Sequence, residues 1–224
     1  MPPIIVHHLE NSRSQRVLWL LEELGVPYEV KRYERDRKTN LAPKELMTIH
    51  PLGKSPVIED AGAAIAETGA IMDYIVETHG AGRLAPARGT PDYLKYKYWV
   101  HAAEGSYMPP LVMALFLNRM ETAPMPFFAR PVAKRLTKGV RDLYLDHTTK
   151  ALFDHVENEL GRSAWLAGSE FTAADIMMSF PLEAAQRRVE AAKNRKSIAS
   201  FLKKIHARPA YARALEQGGP YAYA

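Results

Sequence analysis

The sequence predicts two units of different fold class, an α/β unit followed by an all-helical one. Strand and helix patterns alternate as far as Thr78, and strand patterns cease beyond the small-residue stretch from Gly80 to Pro91. Such a change of pattern is typical of a domain boundary. We therefore predict an α/β domain over 1–82, a linker over 83–90 and a helical bundle over 91–224. Long helical periodicity covers 91–120, 126–160, 172–189 and 197–215.

The predicted element order of the first unit is βαβ-α-ββα. A βαβ unit favours a parallel strand pair with a right-handed crossover, and the tight Ala61-Gly62 connection predicts a β-hairpin, so the sheet should be mixed. The predicted strands are 4–9, 28–33, 56–60 and 63–66, and the predicted helices are 17–24, 42–49 and 68–78.

Composition limits the classes of function. The 224 residues are 47% hydrophobic and 25% charged, which is ordinary for a globular protein. No stretch approaches the roughly 18 apolar residues of a membrane span, and the first residues lack a signal-peptide pattern. We therefore expect a soluble, cytoplasmic protein with no membrane partner. The net charge of +5 comes from scattered basic residues without a recognition motif, so we expect no nucleic-acid partner.

The chain has no cysteine, which excludes disulfides, thiolate metal sites and a cysteine nucleophile on the protein. Any thiol chemistry must use a sulfur that a ligand supplies. The eight histidines show no metal-ligand spacing. His7 and His8 are neighbours in a strand, so they should point to opposite faces of the sheet. We expect no metal site.

The sharpest local signature marks the start of a helix. Thr172 is a suitable N-cap, and Asp175 at the third helical position can bond back to the Thr172 N–H, which makes a capping box. Phe171 and Ile176 flank the box as a hydrophobic staple. We expect this element to be structural.

Pro56 opens a predicted strand directly after Lys54 and Ser55. A proline at this position can be an ordinary trans residue that ends a loop. It can also be a cis-proline that turns the Ser55 backbone outward to pair with an extended ligand. The residues alone leave both alternatives open.

Two further clusters lie at helix starts. Glu67 and Thr68 stand between a strand and a helix, where N–H groups can bind a carboxylate and Glu67 can pair with an ammonium group. Asn11, Ser12 and Ser14 precede the first helix, where a hydroxyl donor and the helix dipole would lower the pKa of a bound thiol. In both places the alternative is an ordinary helix cap.

Together these features resemble the soluble glutathione transferases, and the resemblance spans nearly the whole chain. Lys54-Ser55-Pro56 is similar to the family's cis-proline strand, and Glu67-Thr68 to its acidic-Ser/Thr pair. The segment 165–176 resembles its staple and capping box, and 201–215 its terminal helix region. The resemblance implies a thioredoxin-like N-terminal domain, a helical C-terminal domain, a homodimer and glutathione as co-substrate.

The resemblance also implies roles for the glutathione-binding residues. Pro56 would be cis, with the Ser55 backbone pairing with the cysteinyl part of glutathione. Glu67 and Thr68 would hold the γ-glutamyl end. The remaining carboxylate, that of the glycyl end, would be bound by Lys54 with help from His50.

The active-site hydroxyl is expected among Ser12, Ser14 and, as an amide donor, Asn11. The first strand has no tyrosine and the chain no cysteine, so the resemblance points to a Ser-type bacterial or fungal branch, theta-like or nu-like, with Ser12 preferred. The hydrophobic co-substrate is expected near five residues of the helical domain: Tyr107, Met108, Pro110, Leu111 and Phe116.

The resemblance implies that glutathione, held as a thiolate, attacks small hydrophobic electrophiles. One alternative is reduction of a small disulfide or a peroxide by bound glutathione, a peroxidase-like activity that needs no protein cysteine. Another is a non-catalytic binding protein of the same fold. The presence of Lys54, Pro56, Glu67 and Thr68 argues against loss of glutathione binding.

Overall fold

A computed structural model describes residues 2–223, so Met1 and Ala224, the outermost residues of the predicted domains, lie outside the described residues. The first half of the fold is a four-stranded mixed sheet with two α-helices. Its strands and helices are β1 (Ile4–Leu9), α1 (Gln15–Leu24), β2 (Tyr28–Tyr33), β3 (Val57–Asp60), β4 (Ala63–Ala66) and α2 (Thr68–His79).

The sheet has the strand order β2-β1-β3-β4, with β1 and β2 parallel and β3 antiparallel to both of its neighbours. The β3–β4 hairpin closes through Ala61 and Gly62, whose φ angles are 47° and 82°. Two consecutive positive φ values are the requirement of a two-residue hairpin turn, and glycine meets it without a steric cost. The predicted mixed sheet and hairpin are confirmed.

The predicted helix over 42–49 is wrong in type and extent. The structure has a 3₁₀ helix over Lys44–Thr48. Pro43 precedes it with an extended backbone, and the Leu46 N–H bonds to the Pro43 carbonyl in the i→i+3 pattern at 3.3 Å. Pro51 then disfavours helical backbone at the residue before it, so the chain between two prolines has room for a short turn only.

In the second half of the fold, all the regular secondary structure is helical. Thr90 caps its first helix by accepting from the Tyr93 N–H at 3.2 Å, and Pro91 occupies the first helical position. Its helices are α3 (Pro91–Ala102), α4 (Met108–Thr122), α5 (Arg130–Val140), α6 (Asp146–Arg162), α7 (Ala173–Arg188), α8 (Lys196–His206) and α9 (Pro209–Gly218). None of the helices within residues 2–223 is long and apolar enough to span a bilayer.

Two of the predicted long helical segments contain π-helical turns, at Ala103–Tyr107 between α3 and α4 and at Arg141–Leu145 between α5 and α6. The periodicity is continuous across both turns, so the sequence does not reveal them. The predicted segment 197–215 is instead two helices. Pro209 has no N–H to continue α8, and it starts α9 at the first helical position.

The predicted capping box at Thr172 is confirmed. The buried Asp175 carboxylate accepts from the Thr172 N–H at 2.8 Å, the Thr172 hydroxyl at 3.1 Å and the Leu166 N–H at 2.9 Å. Burial raises the pKa of Asp175 to about 6, although the hydrogen bonds from these donors act in the opposite direction by favouring the anion. The carboxylate therefore joins the start of α7 to the preceding loop as well as to its own cap.

Replacing Asp175 by alanine should lower the free energy of unfolding by roughly 3 kcal/mol, because buried donors lose their acceptor. Urea unfolding at pH 7 measures this. The control is Asp142→Ala, which removes an exposed i,i+4 pair with Lys138 and should cost less than about 0.5 kcal/mol. Equal losses in the two variants would contradict the structural role of the box.

Candidate active site

The strand register brings three predicted site segments to one edge of the sheet. β3 runs antiparallel to β1 and β4, so its start lies beside the ends of both neighbours. Val57 pairs with His7 on one side and with Ala66 on the other. The Ser55-Pro56 bond is therefore flanked by the loop that follows β1 and by the β4–α2 junction.

The Ser55-Pro56 peptide bond is cis, as the resemblance implies. The Ser55 hydroxyl donates to the His7 carbonyl at 2.8 Å and accepts from the Leu9 N–H at 3.2 Å. These two bonds tie the Ser55 side chain to the end of β1. Its backbone groups are thereby left as the part of the residue that can serve a ligand.

A chain of hydrogen bonds runs inward from the loop between β1 and α1. Ser12 Oγ lies 2.7 Å from Ser14 Oγ, and Ser14 Oγ lies 2.9 Å from His8 Nδ1. The Ser14 N–H donates to Ser12 Oγ at 3.2 Å, which fixes the position of the outer hydroxyl. Burial, with a smaller contribution from Arg32, lowers the pKa of His8 to about 4, so the chain ends on a neutral imidazole at pH 7.

His8 is the member of this hydrogen-bond chain that the sequence did not point to. The sequence predicts that His7 and His8 point to opposite faces of the sheet, and the contacts agree. The His7 ring bonds to Tyr33 at 2.9 Å and to Glu59 at 2.7 Å on the face away from Ser14. The partner of His8, however, lies six residues along the chain and across a turn. Only the folded loop brings Ser14 into hydrogen-bond contact with the His8 imidazole.

Accessibility separates the three candidates for contact with a sulfur. Ser14 is 0% exposed, and Ser12 is 5% exposed at the wall of a cleft. Asn11 lines the same cleft with a φ of 49°, and its Oδ1 accepts from the Ala222 N–H at 2.7 Å. Ser14 can therefore act on a ligand through Ser12, whereas Ser12 and Asn11 can touch one. Ser12 remains the preferred prediction.

The other predicted glutathione-binding residues lie beyond that cleft. Glu67 is exposed at the start of α2, with a φ of 70°, and Thr68 beside it is buried. Lys54 is exposed, and His50 is half-buried with its Nδ1 accepting from the Leu52 N–H at 3.4 Å. Their roles in binding remain predictions.

A buried ion-pair cluster joins α1 to the helical domain. Arg16, 1% exposed, bonds to the Met177 carbonyl at 2.6 Å and to the Glu104 carboxylate. Arg13 also pairs with Glu104, at 3.3 Å. Burial alone would raise the pKa of Glu104, but the charges of Arg16 and Arg13 hold it below its usual value. Glu104 therefore stays ionised and fixes α1 against the π-helical turn.

The cleft between the two domains has a volume of about 460 Å³. The first domain contributes one wall, and α4, α7 and the C-terminal tail contribute the other. Its lining residues are Glu10, Asn11, Ser12, Arg13, Arg35, Asn40, Ser55, Met108, Val112, Leu115, Arg119, Phe180, Arg188, Ala222 and Tyr223.

Of the five residues expected around the hydrophobic co-substrate, the structure brings Met108 to this cleft. The others lie elsewhere: Tyr107 and Leu111 are 0% exposed, Pro110 is buried, and Phe116 is 57% exposed outside the cleft. The reason is helix register. Met108 shares a face of α4 with three residues at spacings of four, three and four, namely Val112, Leu115 and Arg119.

A periodic stripe of this kind is visible in the sequence, but nothing there decides which stripe of α4 faces the first domain. Phe180, Arg188 and Tyr223 were missed for the same reason. They lie more than 160 residues from Ser12 along the chain and meet it only in the folded protein.

Comparison with known proteins agrees with this architecture. The family model for the N-terminal domain of glutathione S-transferase matches residues 1–77, and the model for the C-terminal domain matches residues 118–209. Glutathione S-transferase 3 of Schizosaccharomyces pombe is 37% identical over 207 residues, which are 92% of this chain and 84% of that protein. Glutathione S-transferase 1 of Saccharomyces cerevisiae is 33% identical, over 97% of this chain and 96% of the relative.

Among solved structures, a glutathione S-transferase from Actinobacillus pleuropneumoniae is similar with a TM-score of 0.78 and 32% identity, covering 98% of this chain and 95% of that one. A thioredoxin-like domain with a cis-proline at its sheet edge, joined to an all-helical domain, defines the class as a glutathione-dependent two-domain protein. The chain belongs to the glutathione S-transferase family.

The neutral, buried state of His8 predicts a pH dependence of stability. The pKa of His8 in the folded chain is about 4, below its unfolded value of 6.5. The unfolded chain therefore binds a proton first as the pH falls, and stability is lost between those two values. From pH 7 to pH 5 this single group should cost roughly 2 kcal/mol.

The measurement is urea unfolding of the wild type and of His8→Gln, which keeps a hydrogen-bonding side chain but does not titrate. The difference between the two pH slopes isolates His8 from the other titrating groups. His101→Gln, at an exposed position on α3, is the matched control and should keep the wild-type slope. If His8→Gln keeps it too, His8 does not titrate as inferred.

Proposed function

We propose that this transferase binds glutathione along the sheet edge, holds its sulfur as a thiolate at Ser12, and directs it at an electrophile in the cleft between the domains. One observation carries the proposal: Ser12, directly before α1, and Ser55, at the cis Ser55-Pro56 bond, line the same cleft. The same short stretch of surface therefore offers a hydroxyl donor and a backbone ready for an extended ligand.

The hydrogen bonds of Ser12 support its role as the donor to sulfur. Its oxygen accepts from the Ser14 N–H and lies beside Ser14 Oγ, so its position is fixed before a ligand arrives. When the His8 ring donates to Ser14, Ser14 donates its single proton to Ser12, and the proton of Ser12 is then free to turn toward the cleft. A fixed hydroxyl loses little freedom when it binds an anion, which favours the thiolate over the thiol.

The remaining groups suit the rest of the glutathione molecule. The backbone of Ser55 can pair with the cysteinyl amide. The first N–H groups of α2 have no partner within the helix and can bind the γ-glutamyl carboxylate, with Glu67 near its ammonium group. Lys54 supplies a positive charge for the glycyl carboxylate. Lys54 and Ser55 precede the start of β3, and Glu67 follows the end of β4, so the strand pairing brings these residues to the same end of the sheet.

The chemistry is a nucleophilic displacement. The thiol proton passes to solvent, and the thiolate sulfur forms a bond to the electrophilic carbon. The leaving group departs with the electron pair of the bond it loses. The protein contributes a lowered thiol pKa and the proximity of the two substrates. The apolar part of the electrophile would lie against Met108, Val112, Leu115 and Phe180, which line the opposite wall.

Ser12→Ala should raise the pKa of the bound thiol by about one to two units, since a hydrogen bond to a charged group contributes about 1.5–3 kcal/mol. Titrating the thiolate absorbance of the glutathione complex measures this. Conjugation of an aryl halide at pH 6.5 should slow about tenfold or more. Ser200→Ala, at an exposed position on α8, is the control and should change neither.

An unchanged titration in Ser12→Ala would sink the assignment of Ser12, and a shifted titration in Asn11→Ala would move the role to the neighbouring amide. Assays with a small disulfide and with a peroxide, run beside the aryl halide, distinguish conjugation from reduction. Faster turnover of the disulfide or of the peroxide would replace the proposed reaction with reduction by the same bound thiolate.

We also infer a homodimer in solution. Large apolar side chains remain exposed on the helical domain, among them Leu94 at 72% and Leu143 at 87%. Exposed apolar surface of this kind is typical of an interface. Light scattering should give twice the mass of one chain, and Leu94→Arg or Leu143→Arg should lower it. Ala199→Arg, which replaces a small exposed side chain on α8, is the control and should leave the dimer intact. A wild-type mass of one chain would contradict the inference.

A further inference from the structure

The lining of the cleft is strongly basic. Four of its lining residues are arginines, namely Arg13, Arg35, Arg119 and Arg188, and one is a carboxylate, Glu10. A small apolar electrophile would have no use for this charge. The partners that each guanidinium already has determine how much of the charge is left for a ligand.

Two of the arginines are engaged with the protein. Arg13 pairs with the Glu104 carboxylate at 3.3 Å. Arg35 donates to the Glu10 carbonyl at 3.3 Å and to the Asn40 carbonyl at 3.1 Å, while the Glu10 carboxylate accepts from the Arg35 N–H at 2.8 Å. Glu10, the one carboxylate among the described lining residues, is therefore held beside Arg35.

The other two arginines have no carboxylate partner among residues 2–223. Arg188 donates to the Tyr223 hydroxyl at 2.8 Å and stacks on that ring at 5.5 Å. The Arg119 guanidinium has no hydrogen-bond partner within the described part of the chain, and the residue is exposed. The helices that carry them are adjacent, since the Asn118 side chain bonds to the Arg188 carbonyl at 3.4 Å.

The position of this pair points to the second substrate. Arg119 lies on the same face of α4 as Met108, Val112 and Leu115, three turns beyond Met108. Ser12, Arg119 and Arg188 line one cleft, so a ligand with its reactive carbon toward Ser12 and its apolar body against that stripe occupies the same space as the two guanidinium groups. A guanidinium is a planar donor that suits a carboxylate in a two-point contact.

We propose that the electrophile carries an anionic group, a carboxylate or sulfonate, which Arg119 and Arg188 bind while its apolar body lies on α4. This inference rests on the proposed function, since it names the substrate class of the same cleft. Glutathione also has carboxylates, but the groups predicted to hold them, at Lys54 and the start of α2, do not line this cleft.

Two aryl chlorides that differ in one group test the proposal. 4-Chloro-3-nitrobenzoate is an anion, and 4-chloro-3-nitrobenzamide has nearly the same shape without the charge. With either compound the thiolate sulfur bonds to the chlorine-bearing carbon, chloride leaves with the electron pair, and the thiol proton goes to solvent. The readout is the ratio of kcat/KM for the benzoate to kcat/KM for the benzamide, in which effects on the thiolate cancel.

Arg119→Gln and Arg188→Gln should each lower this ratio about tenfold, equivalent to 1.4 kcal/mol. The conservative Arg119→Lys should recover part of the loss because it keeps the charge. Arg162→Gln, an arginine with 77% of its side chain exposed and outside the cleft, should leave the ratio at the wild-type value. High salt should lower the wild-type ratio, because partly exposed charges are screened.

An unchanged ratio in both arginine variants would overturn the proposal, and so would an effect confined to the KM for glutathione. Binding gives a second readout without turnover. Calorimetry with the two glutathione conjugates should show tighter binding of the carboxylate product in the wild type and similar affinities in Arg119→Gln. Equal wild-type affinities overturn the anionic substrate alone, whereas failure to bind either conjugate overturns the proposed function as well.

Discussion

Arg16 joins the two domains at the point where the site is built. Its side chain leaves the first turn of α1, is 1% exposed, and carries its charge to the Glu104 carboxylate and the Met177 carbonyl of the helical domain. Its guanidinium also lies 5.5 Å from the centre of the Phe180 ring. A buried guanidinium is tolerated only when its charge and donors are matched. The position of α1 relative to α7 is therefore strictly constrained, and with it the distance across the cleft.

The geometry of the active site follows from this constraint. Ser12 stands directly before α1, and Phe180 on α7 lines the cleft opposite. If α1 shifted, the hydroxyl would move away from the wall that holds the electrophile. Glu104 lies in a π-helical turn, where one extra residue per turn re-aims the side chains of an otherwise regular helix. The turn thus brings a carboxylate to two arginines of the other domain.

The C-terminal tail closes the same cleft by a separate set of contacts. The Tyr221 hydroxyl donates to the buried Glu183 carboxylate at 2.6 Å, and the Ala222 N–H donates to Asn11 at 2.7 Å. Tyr223 is held by Arg188. Because the tail bonds to both domains, it couples the loop of Ser12 to the arginine-bearing wall. The polar lining of the cleft consequently comes from six separate segments of the chain, at 10–13, 35–40, 55, 119, 188 and 223.

The sequence by itself determined the local elements and the order in which they occur. All four strands, the hairpin turn and the start of α7 at Thr172 follow from alternation, turn chemistry and capping, which act between residues close in the chain. The resemblance to the glutathione transferases added the cis bond at Pro56. Only the tertiary structure decided which stripe of α4 faces Ser12, that His8 meets Ser14, and that Arg119 and Arg188 share a cleft with the active-site hydroxyl. Those contacts depend on packing between residues far apart in sequence, and no local preference of either partner encodes them.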